Sequence, residues 1–244
     1  FVSWNWLAGG TAVSNTDGSV TSSVSVNSEA GFSIVSFTSP ASGNFTAGHG
    51  LGVTPEVIIQ KETGSTGSWH VWHESVTTTT SNFLKLETTG GVGSVSNVWG
   101  ASVPNSTTFG LGVGVSVDAN NTQIAYCFHS VEGYSKFGSY TGNGDNDGTF
   151  VFLGFRPSFI MIKRTNSTGD WIIQDNKRQT SNPSDAWLRP NSNGAEGTTS
   201  PDLDLDFVSN GIKIRNNGTN NNISGSTYLY MAFAEMPTKY ANAR

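Results

Sequence analysis

Short runs in which apolar and polar residues alternate recur along the whole chain. The clearest are VIIQK (57–61), WHVWH (69–73), FLKLE (83–87), FGLGVGVSV (109–117) and QIAYCFH (123–129). Successive side chains of a strand point to opposite faces, so this two-residue period predicts strands. Gly, Pro and β-branched residues interrupt every window in which a helix could form. The pattern therefore predicts an all-β fold of short antiparallel strands arranged as a sandwich or jelly roll.

One part of this pattern occurs twice. The stretch LGVTPEVIIQKETGSTGSW (51–69) aligns with LGFRPSFIMIKRTNSTGDW (153–171), and ten of its nineteen positions are identical. Self-similarity at a fixed distance is the signature of an internal duplication. We therefore predict two tandem antiparallel β-sandwich repeats of about 100 residues, repeat 1 at 28–130 and repeat 2 at 131–244. The repeated TGSTG and TNSTG segments are expected to be the loops of matching hairpins.

The beginning of the chain is predicted to come from a third, truncated copy. VSWNW near the N-terminus alternates as QIAYCF does, so residues 1–6 are expected to be the last strand of an upstream repeat. Residues 7–27 have no counterpart in repeat 2, and Asp17-Gly18 between alternating residues indicates a hairpin or an extended connector. Segment 1–27 is thus expected to hold a terminal strand and a connector hairpin.

Comparison of the two copies predicts which side of a strand is buried, because an inward position must stay apolar while an outward one can vary. The pairs that stay apolar, and are expected in the cores, are Trp69 with Trp171 and Val71 with Ile173. The pairs that change, and are expected to face outward, are His70 with Ile172 and Trp72 with Gln174.

The composition indicates a neutral, hydroxyl-rich surface. Charged residues make up 13% of the chain, the formal net charge is −5, and no cluster of Lys and Arg is present to bind phosphates. Nucleic acid is therefore not an expected partner. No apolar run approaches the roughly 18 residues of a membrane span, so membrane insertion is not expected either. Cys127 is the only cysteine, which excludes an internal disulfide and a thiolate metal cluster.

Three aromatic or imidazole side chains are candidates for ligand binding. Strand alternation places His70 and Trp72 on one face, where they either contact a ligand or belong to an ordinary surface. Trp99 lies in the polar stretch SNVWGASVPNS, where it either stacks on a sugar or fills a satellite core.

The segment NGDNDG is a candidate metal site. Asn143, Asp145 and Asp147 alternate before Gly148, like the opening of a calcium loop, which makes Ca²⁺ the one candidate cofactor. Because the twelfth position is Gly154 and not Glu, a polar turn is the alternative. A second acidic stretch, DLDLD (202–206), is predicted to be a strand with its three Asp side chains on one face. No nucleophile elbow, phosphate loop or dinucleotide motif occurs.

Several long stretches resemble a known group of proteins. SWNWLAGGTAVSNTDGS, IAYCFHSVEGYSKFGSYTGNG, GFRPSFIMIKRTNSTGDW and YLYMAFAEMPTKYANAR are similar to the tandem C-terminal modules of tail-fibre-like proteins of marine bacteriophages, including cyanophages. The resemblance implies lectin-like or laminin-G-like jelly-roll units on the virion surface, outside the host cell that they contact. The chain departs from the pattern at His129-Ser130, where the second copy has Ala234-Glu235. The resemblance supplies no catalytic or receptor-contact residues.

These observations predict a non-enzymatic module for host attachment, whose partner is a cell-surface glycan or protein. Weak sites would be multiplied by repetition and by a homo-oligomer, for which the resemblance implies a trimer. One alternative is a structural fibre subunit, in which the strand with Trp4 and Trp6 adds to a neighbouring chain. A further alternative is a polysaccharide depolymerase, which needs a groove with two carboxylates.

Overall fold

The chain folds as an all-β protein of two compact units. A computed structural model describes residues 3–198 and 200–235, with 42% of the chain in strands and 1% in helix. Unit 1 comprises the chain up to Lys85 together with Gly93–His129, and unit 2 comprises Leu86–Val92 and the chain from Ser130 onward. The predicted fold class, antiparallel sheets of the β-sandwich type, is confirmed.

Unit 1 contains a large sheet and a small one. Its strands are β1 (Val13–Asn15), β2 (Ser22–Asn27), β3 (Phe32–Thr38), β4 (Asn44–Gly48), β5 (Val57–Glu62), β6 (Trp69–His73), β7 (Asn82–Lys85), β8 (Gly93–Ser94), β9 (Thr108–Gly112) and β10 (Thr122–Phe128). The eight-stranded sheet has the order β1-β2-β3-β10-β5-β6-β7-β8, and β4 pairs with β9 in the two-stranded sheet. Neighbouring strands run antiparallel.

The two sheets of unit 1 enclose a common apolar core. Val35, Ile58 and Trp72 from the large sheet pack in one cluster with Phe45 and Leu111 from the small sheet. Burial of a side chain of this size contributes about 1.5–3 kcal/mol, so the cluster is the main source of stability for the unit.

Residues 13–27 form a hairpin at the edge of the large sheet. Val13 pairs with Val24, and β2 in turn pairs with β3 along its whole length. Of the two structures predicted for this connector, the hairpin is the one that forms. It widens the sheet of unit 1 by two strands.

The N-terminal segment packs through its side chains and not through a strand ladder. Residues 3–12 form no strand, so the expected terminal strand is absent from the part of segment 1–6 that the structure describes. Val2 lies outside the described residues. Trp4 and Trp6 are half-buried and alternate with exposed neighbours, and the Trp6 ring lies edge-on to Phe128 with the centroids 6.2 Å apart. The alternation of apolar and polar residues therefore reflects the packing of these tryptophans against the surface of unit 1.

Unit 2 is a second two-layer arrangement. Its elements are β11 (Ser135–Thr141), β12 (Phe150–Phe152), β13 (Pro157–Arg164), β14 (Trp171–Asp175), a 3-10 turn (Pro201–Leu203), β15 (Leu205–Val208), β16 (Gly211–Ile214) and β17 (Thr227–Ala234). A four-stranded sheet of order β11-β17-β13-β14 packs on a three-stranded sheet of order β12-β16-β15. Ile160, Tyr230, Phe207 and Ile212 are among the buried side chains between them.

The main sheets of the two units share their strand order. The series β3-β10-β5-β6 in unit 1 corresponds to β11-β17-β13-β14 in unit 2. Val71 pairs with Leu84 in the first unit, and Ile173 pairs with Leu188 at the matching positions of the second. The internal duplication stays an interpretation of the sequence, and this shared order favours it.

The predicted orientation of β6 and β14 is wrong. Trp72, expected outside, is 4% exposed and lies in the sandwich core opposite Ile58, whereas Trp69 is half-buried on the other face. Ile172 likewise pairs with the core residue Ile162. Val71 and Trp171 are buried as expected, but on the face that points away from the sandwich. Both faces of these strands are covered, so apolar character alone does not identify the interior.

The phrase that occurs twice in the sequence forms two equivalent hairpin loops. Lys61 pairs with Trp69 and Lys163 pairs with Trp171, as predicted for the closing positions of hairpins. The Lys61 ammonium donates to the carbonyl of Ser65 at 3.1 Å, inside the loop. The Lys163 ammonium likewise donates to the carbonyl of Gly169 in its own loop. In each hairpin the lysine thus donates hydrogen bonds to backbone carbonyls that the turn leaves unpaired.

Lys163 is the more deeply buried of the two lysines. Its Nζ donates to the carbonyls of Gly169 at 2.7 Å and of Thr89 at 2.9 Å, and the residue is 0% exposed. Burial lowers the pKa of Lys163 from 10.5 to about 8, against the opposing attraction of Asp170. The folded chain therefore releases this proton at a lower pH than the unfolded chain does.

We expect stability to rise with pH through the window that Lys163 defines. Between pH 8 and 10.5 the unfolded chain holds the lysine proton and the folded chain does not, so unfolding takes up a proton. The free energy of unfolding of the wild type, minus that of Lys163→Met, should increase by up to about 3 kcal/mol across this window. Urea unfolding of both proteins at several pH values measures the difference. A pH-independent difference would contradict the assignment.

Candidate functional site

Six exposed hydroxyl side chains lie together on the outer face of the large sheet of unit 1. The ladder registers place Ser14 opposite Ser23 and Ser23 opposite Ser36, in one row across three strands. A second row pairs Thr38 with Thr122, and Thr63 Oγ1 donates to Thr122 Oγ1 at 2.8 Å. We call this set of residues the hydroxyl face; its members are Ser14, Ser23, Ser36, Thr38, Thr63 and Thr122.

The hydroxyl face lines a shallow cavity of about 680 Å³, within the range of about 300–1,000 Å³ that is typical of ligand sites. Val20, Thr21, Gln123 and Ile124 complete much of its wall, and no lining residue has an ionisable side chain. The cavity can therefore donate and accept hydrogen bonds, but its walls hold no acid, base or charged metal ligand.

The hairpin β1-β2 supplies two of the six hydroxyl groups, those of Ser14 and Ser23. In the β2 sequence SSVSVN, Val24 points into the core while Ser23 points out, because the strand has a two-residue period. Unit 2 has no equivalent hairpin among its described residues, and β11 is the outer strand of its sheet. The hydroxyl face is thus a feature of unit 1.

An apolar and aromatic margin continues the first row of the hydroxyl face. Ser36 pairs with Ile124, Ile124 with Lys61, and Lys61 with Trp69, so the row extends across the sheet to β6. Ile124 and Trp69 are half-buried. Hydroxyl groups beside such side chains form a surface with both polar and apolar character, which suits a ligand that has both.

Comparison with known proteins assigns the chain to a family. A family model described as a domain of unknown function, DUF7483, matches residues 1–237. The chain belongs to the DUF7483 family. No curated protein and no solved structure matches it. The family match runs through both units, and the described part of the chain contains no helix that is long and apolar enough to cross a membrane.

Both tryptophans predicted to bind a ligand, Trp72 and Trp99, are core residues of this DUF7483 chain. Trp99 is 0% exposed, donates its indole N–H to the carbonyl of Asn82 at 2.8 Å, and meets Trp72 edge-on at 5.7 Å. Neither ring has a face that a sugar could reach, so the ligand-binding hypothesis is wrong for both. The alternative placed Trp99 in a satellite core, and the residue lies in the main core cluster of unit 1. The polar neighbours of Trp99 in sequence concealed its burial, which tertiary packing determines.

His70 remains a candidate, in a different place from the hydroxyl face. It shares a strand face with Trp72 as predicted, but that face points inward and His70 is 6% exposed. Its ring meets Phe83 edge-on at 5.5 Å, and it lines a second, more polar cavity beside the β5-β6 loop.

The NGDNDG segment is a hydrogen-bonded polar turn. The side-chain oxygens of Asn143 and Asp145 accept the backbone N–H groups of Asp145 and Asp147, at 3.0 and 2.9 Å. The Asp147 carboxylate lies 2.8 Å from the Lys213 ammonium, which lowers the pKa of Asp147. These oxygens are engaged by the protein, and no group of three His, Cys, Asp or Glu suited to a metal occurs in the described residues. The segment thus folds as the polar turn that the alternative described.

The DLDLD segment is not one strand as predicted. Pro201 begins a 3-10 turn that ends at Leu203, and β15 begins only at Leu205. Asp206 is buried and its carboxylate lies 2.6 Å from Arg215 Nε. Proline at the first position of the turn fixes its φ angle in the helical range, which explains the change of structure.

We expect Trp99→Ala to lower the free energy of unfolding by about 3–5 kcal/mol, because it leaves a large cavity in the core of unit 1. Trp69→Ala is the matched control, since Trp69 is already half-exposed and its loss should cost less. Urea unfolding of the two variants measures the difference. Equal losses would show that Trp99 carries no more packing energy than Trp69.

Proposed function

We propose that this DUF7483 chain is a non-enzymatic glycan-binding module of a tail-fibre-like protein on the virion surface. The observation that carries the binding function is the hydroxyl face, an uncharged cavity of about 680 Å³ lined by serine and threonine. The resemblance of the sequence to tail-fibre modules supports the viral context and a lectin-like role for the sandwich. The partner is a glycan on the surface of the host cell.

The hydrogen-bonding capacity of the hydroxyl face suits a neutral sugar. Each Ser or Thr hydroxyl both donates and accepts, as the hydroxyl groups of a sugar do. The net gain for one such bond is only about 0.5–1.5 kcal/mol, so a single face binds weakly. Several copies in an oligomer, a trimer in our proposal, raise the avidity because the later binding events become intramolecular.

The lining of the cavity supports binding over hydrolysis. Glycoside hydrolysis uses two carboxyl groups roughly 5–9.5 Å apart on either side of the scissile bond. The hydroxyl face has no Asp or Glu, and its cavity contains no other ionisable side chain. A bound polysaccharide would therefore meet no general acid at this surface.

The N-terminal segment does not support the alternative function, in which a strand adds to a neighbouring chain. That function depended on a strand at residues 1–6 whose tryptophans need a partner on a neighbouring chain. Residues 3–12 form no strand, and Trp6 packs on Phe128 of the same chain. This packing favours the binding module as the function of the chain.

Loss of two hydroxyl groups should weaken attachment. We expect Thr38→Val/Thr122→Val, which keeps the side-chain shape, to reduce binding to host cells or to an array of bacterial surface glycans by about tenfold or more. The control is Thr141→Val, because Thr141 is an exposed strand threonine of unit 2. Adsorption of the labelled full chain measures the effect. Wild-type attachment by the double variant, or no attachment by the wild type, would overturn the proposal.

The same assay tests the uncharged character of the site. We expect the affinity of the wild type to change less than about twofold between low and high NaCl concentration, because salt screens charges and the hydroxyl face has none. A steep loss of affinity with salt would point to a charged site elsewhere on the chain.

A further inference from the structure

A second cavity of unit 1, of about 360 Å³, lies at the end of the β5-β6 hairpin. The loop 65–68 forms one wall and the loop 114–118 forms another. Glu62, His70 and Lys85 complete it, so this cavity contains the ionisable groups that the hydroxyl face lacks. Its volume falls within the range of about 300–1,000 Å³ of small-ligand sites.

Glu62 is a buried carboxylate with one oxygen available to a ligand. The residue is 3% exposed, and its Oε1 accepts the backbone N–H of Asp118 at 3.2 Å. Its Oε2 accepts no hydrogen bond from any residue that the structure describes, and it lies against Gly67. A ligand that supplies an O–H or N–H group at this oxygen forms a charge-assisted hydrogen bond inside the cavity.

Gly67 leaves the space that this oxygen needs. A Cβ atom added at Gly67 would stand 2.9 Å from Glu62 Oε2, closer than carbon and oxygen atoms approach without strain. Any other residue at this position would push against the carboxylate. The glycine of the repeated phrase therefore has a specific role in unit 1, where it keeps Oε2 uncovered.

The charges around the cavity restrict the kind of ligand. The carboxylates of Glu62 and Asp118 and the ammonium of Lys85 give the lining an excess of negative charge. Adjacent sugar hydroxyls match such a set, since one can donate to a carboxylate while its neighbour accepts from an ammonium. An acidic sugar would be repelled. A metal ion is disfavoured, because no three His, Cys, Asp or Glu side chains suited to one come together in the described residues.

The cavity is chemically specific to unit 1 although its loop is repeated. In the aligned sequences Arg164 stands at the position of Glu62, and Ile172 at that of His70. The charge is therefore reversed in unit 2 and the imidazole is replaced by an alkyl group. The hairpin is shared by the two copies, but the buried acceptor is not.

We propose that the cavity formed by Glu62, Gly67, His70, Lys85 and Asp118 binds one saccharide residue that has adjacent hydroxyls and no negative charge. This inference rests on the proposed glycan-binding function and adds a second site to it, separate from the hydroxyl face. The cavity selects the sugar by its charge, whereas the hydroxyl face provides uncharged hydrogen bonds.

An NMR titration of the full chain tests the proposal. Three neutral probes, the methyl β-glycosides of D-glucose, D-galactose and D-mannose, are compared with methyl β-D-glucuronide, which has the hydroxyls of the glucoside and an added carboxylate. We expect at least one neutral glycoside to shift the amide resonances of residues 62–70 and 114–118, and the glucuronide to bind at least about tenfold more weakly than the glucoside.

Two variants test the role of the buried acceptor. Glu62→Gln retains an oxygen for the Asp118 N–H but replaces the free acceptor by a donor, and Gly67→Ala crowds Oε2. Each should weaken binding of the neutral glycoside by at least about tenfold. Gly169→Ala is the matched control at the equivalent loop position of unit 2, where a Cβ would meet Arg164 Cβ at 3.1 Å. The amide spectrum of each variant reports whether it is folded. If Gly67→Ala does not fold, the affinity of Glu62→Gln for the glycoside tests the role of the acceptor.

Three outcomes would overturn the inference. They are no shift in residues 62–70 and 114–118 with any neutral glycoside, equal binding of the glucuronide and the glucoside, and unchanged binding by Glu62→Gln. Shifts confined to Ser23, Ser36 and Thr122 would remove this second site and leave the proposed function of the hydroxyl face intact. The proposed function is tested separately, by measuring the attachment of the Thr38→Val/Thr122→Val variant to cells.

Discussion

Hydrogen bonding of the central strand along both of its edges is the constraint on which the rest of each unit depends. β10 is paired with β3 and β5 in unit 1, and β17 is paired with β11 and β13 in unit 2. A strand in this position satisfies its backbone groups within the ladder, so that its side chains can be removed from water without leaving unpaired backbone groups. Six consecutive residues of β17 are buried. The neighbouring strands and their hairpin loops are placed relative to this strand.

The loops follow from the same constraint. A hairpin turn leaves carbonyl groups without partners in the ladder, and these acceptors need donors. Lys61 and Lys163 supply them from the last paired position of the preceding strand. The repeated phrase thus encodes a way to close a hairpin. In unit 1 the same loop also borders a cavity, because Glu62 and Gly67 differ in their surroundings from Arg164 and Gly169.

The candidate sites lie where the shared architecture ends. The hydroxyl face depends on the β1-β2 hairpin, which unit 2 lacks among its described residues, and the smaller cavity depends on a residue whose charge is opposite in unit 2. The packed interior between the two sheets of a sandwich offers no room for a ligand. An added edge hairpin and a loop junction provide that room without disturbing the packed interior.

The sequence by itself determined the all-β class, most of the strand positions and the two equivalent hairpins, since the two-residue period and turn residues act locally. It could not determine which face of β6 is the interior, because both faces are apolar or buried; Trp72 and Trp99 consequently lie in the core. The hydroxyl face brings together residues as distant as Ser14 and Thr122. Residues so far apart in the sequence are brought together by the register of the strands, and register is a property of the assembled sheet.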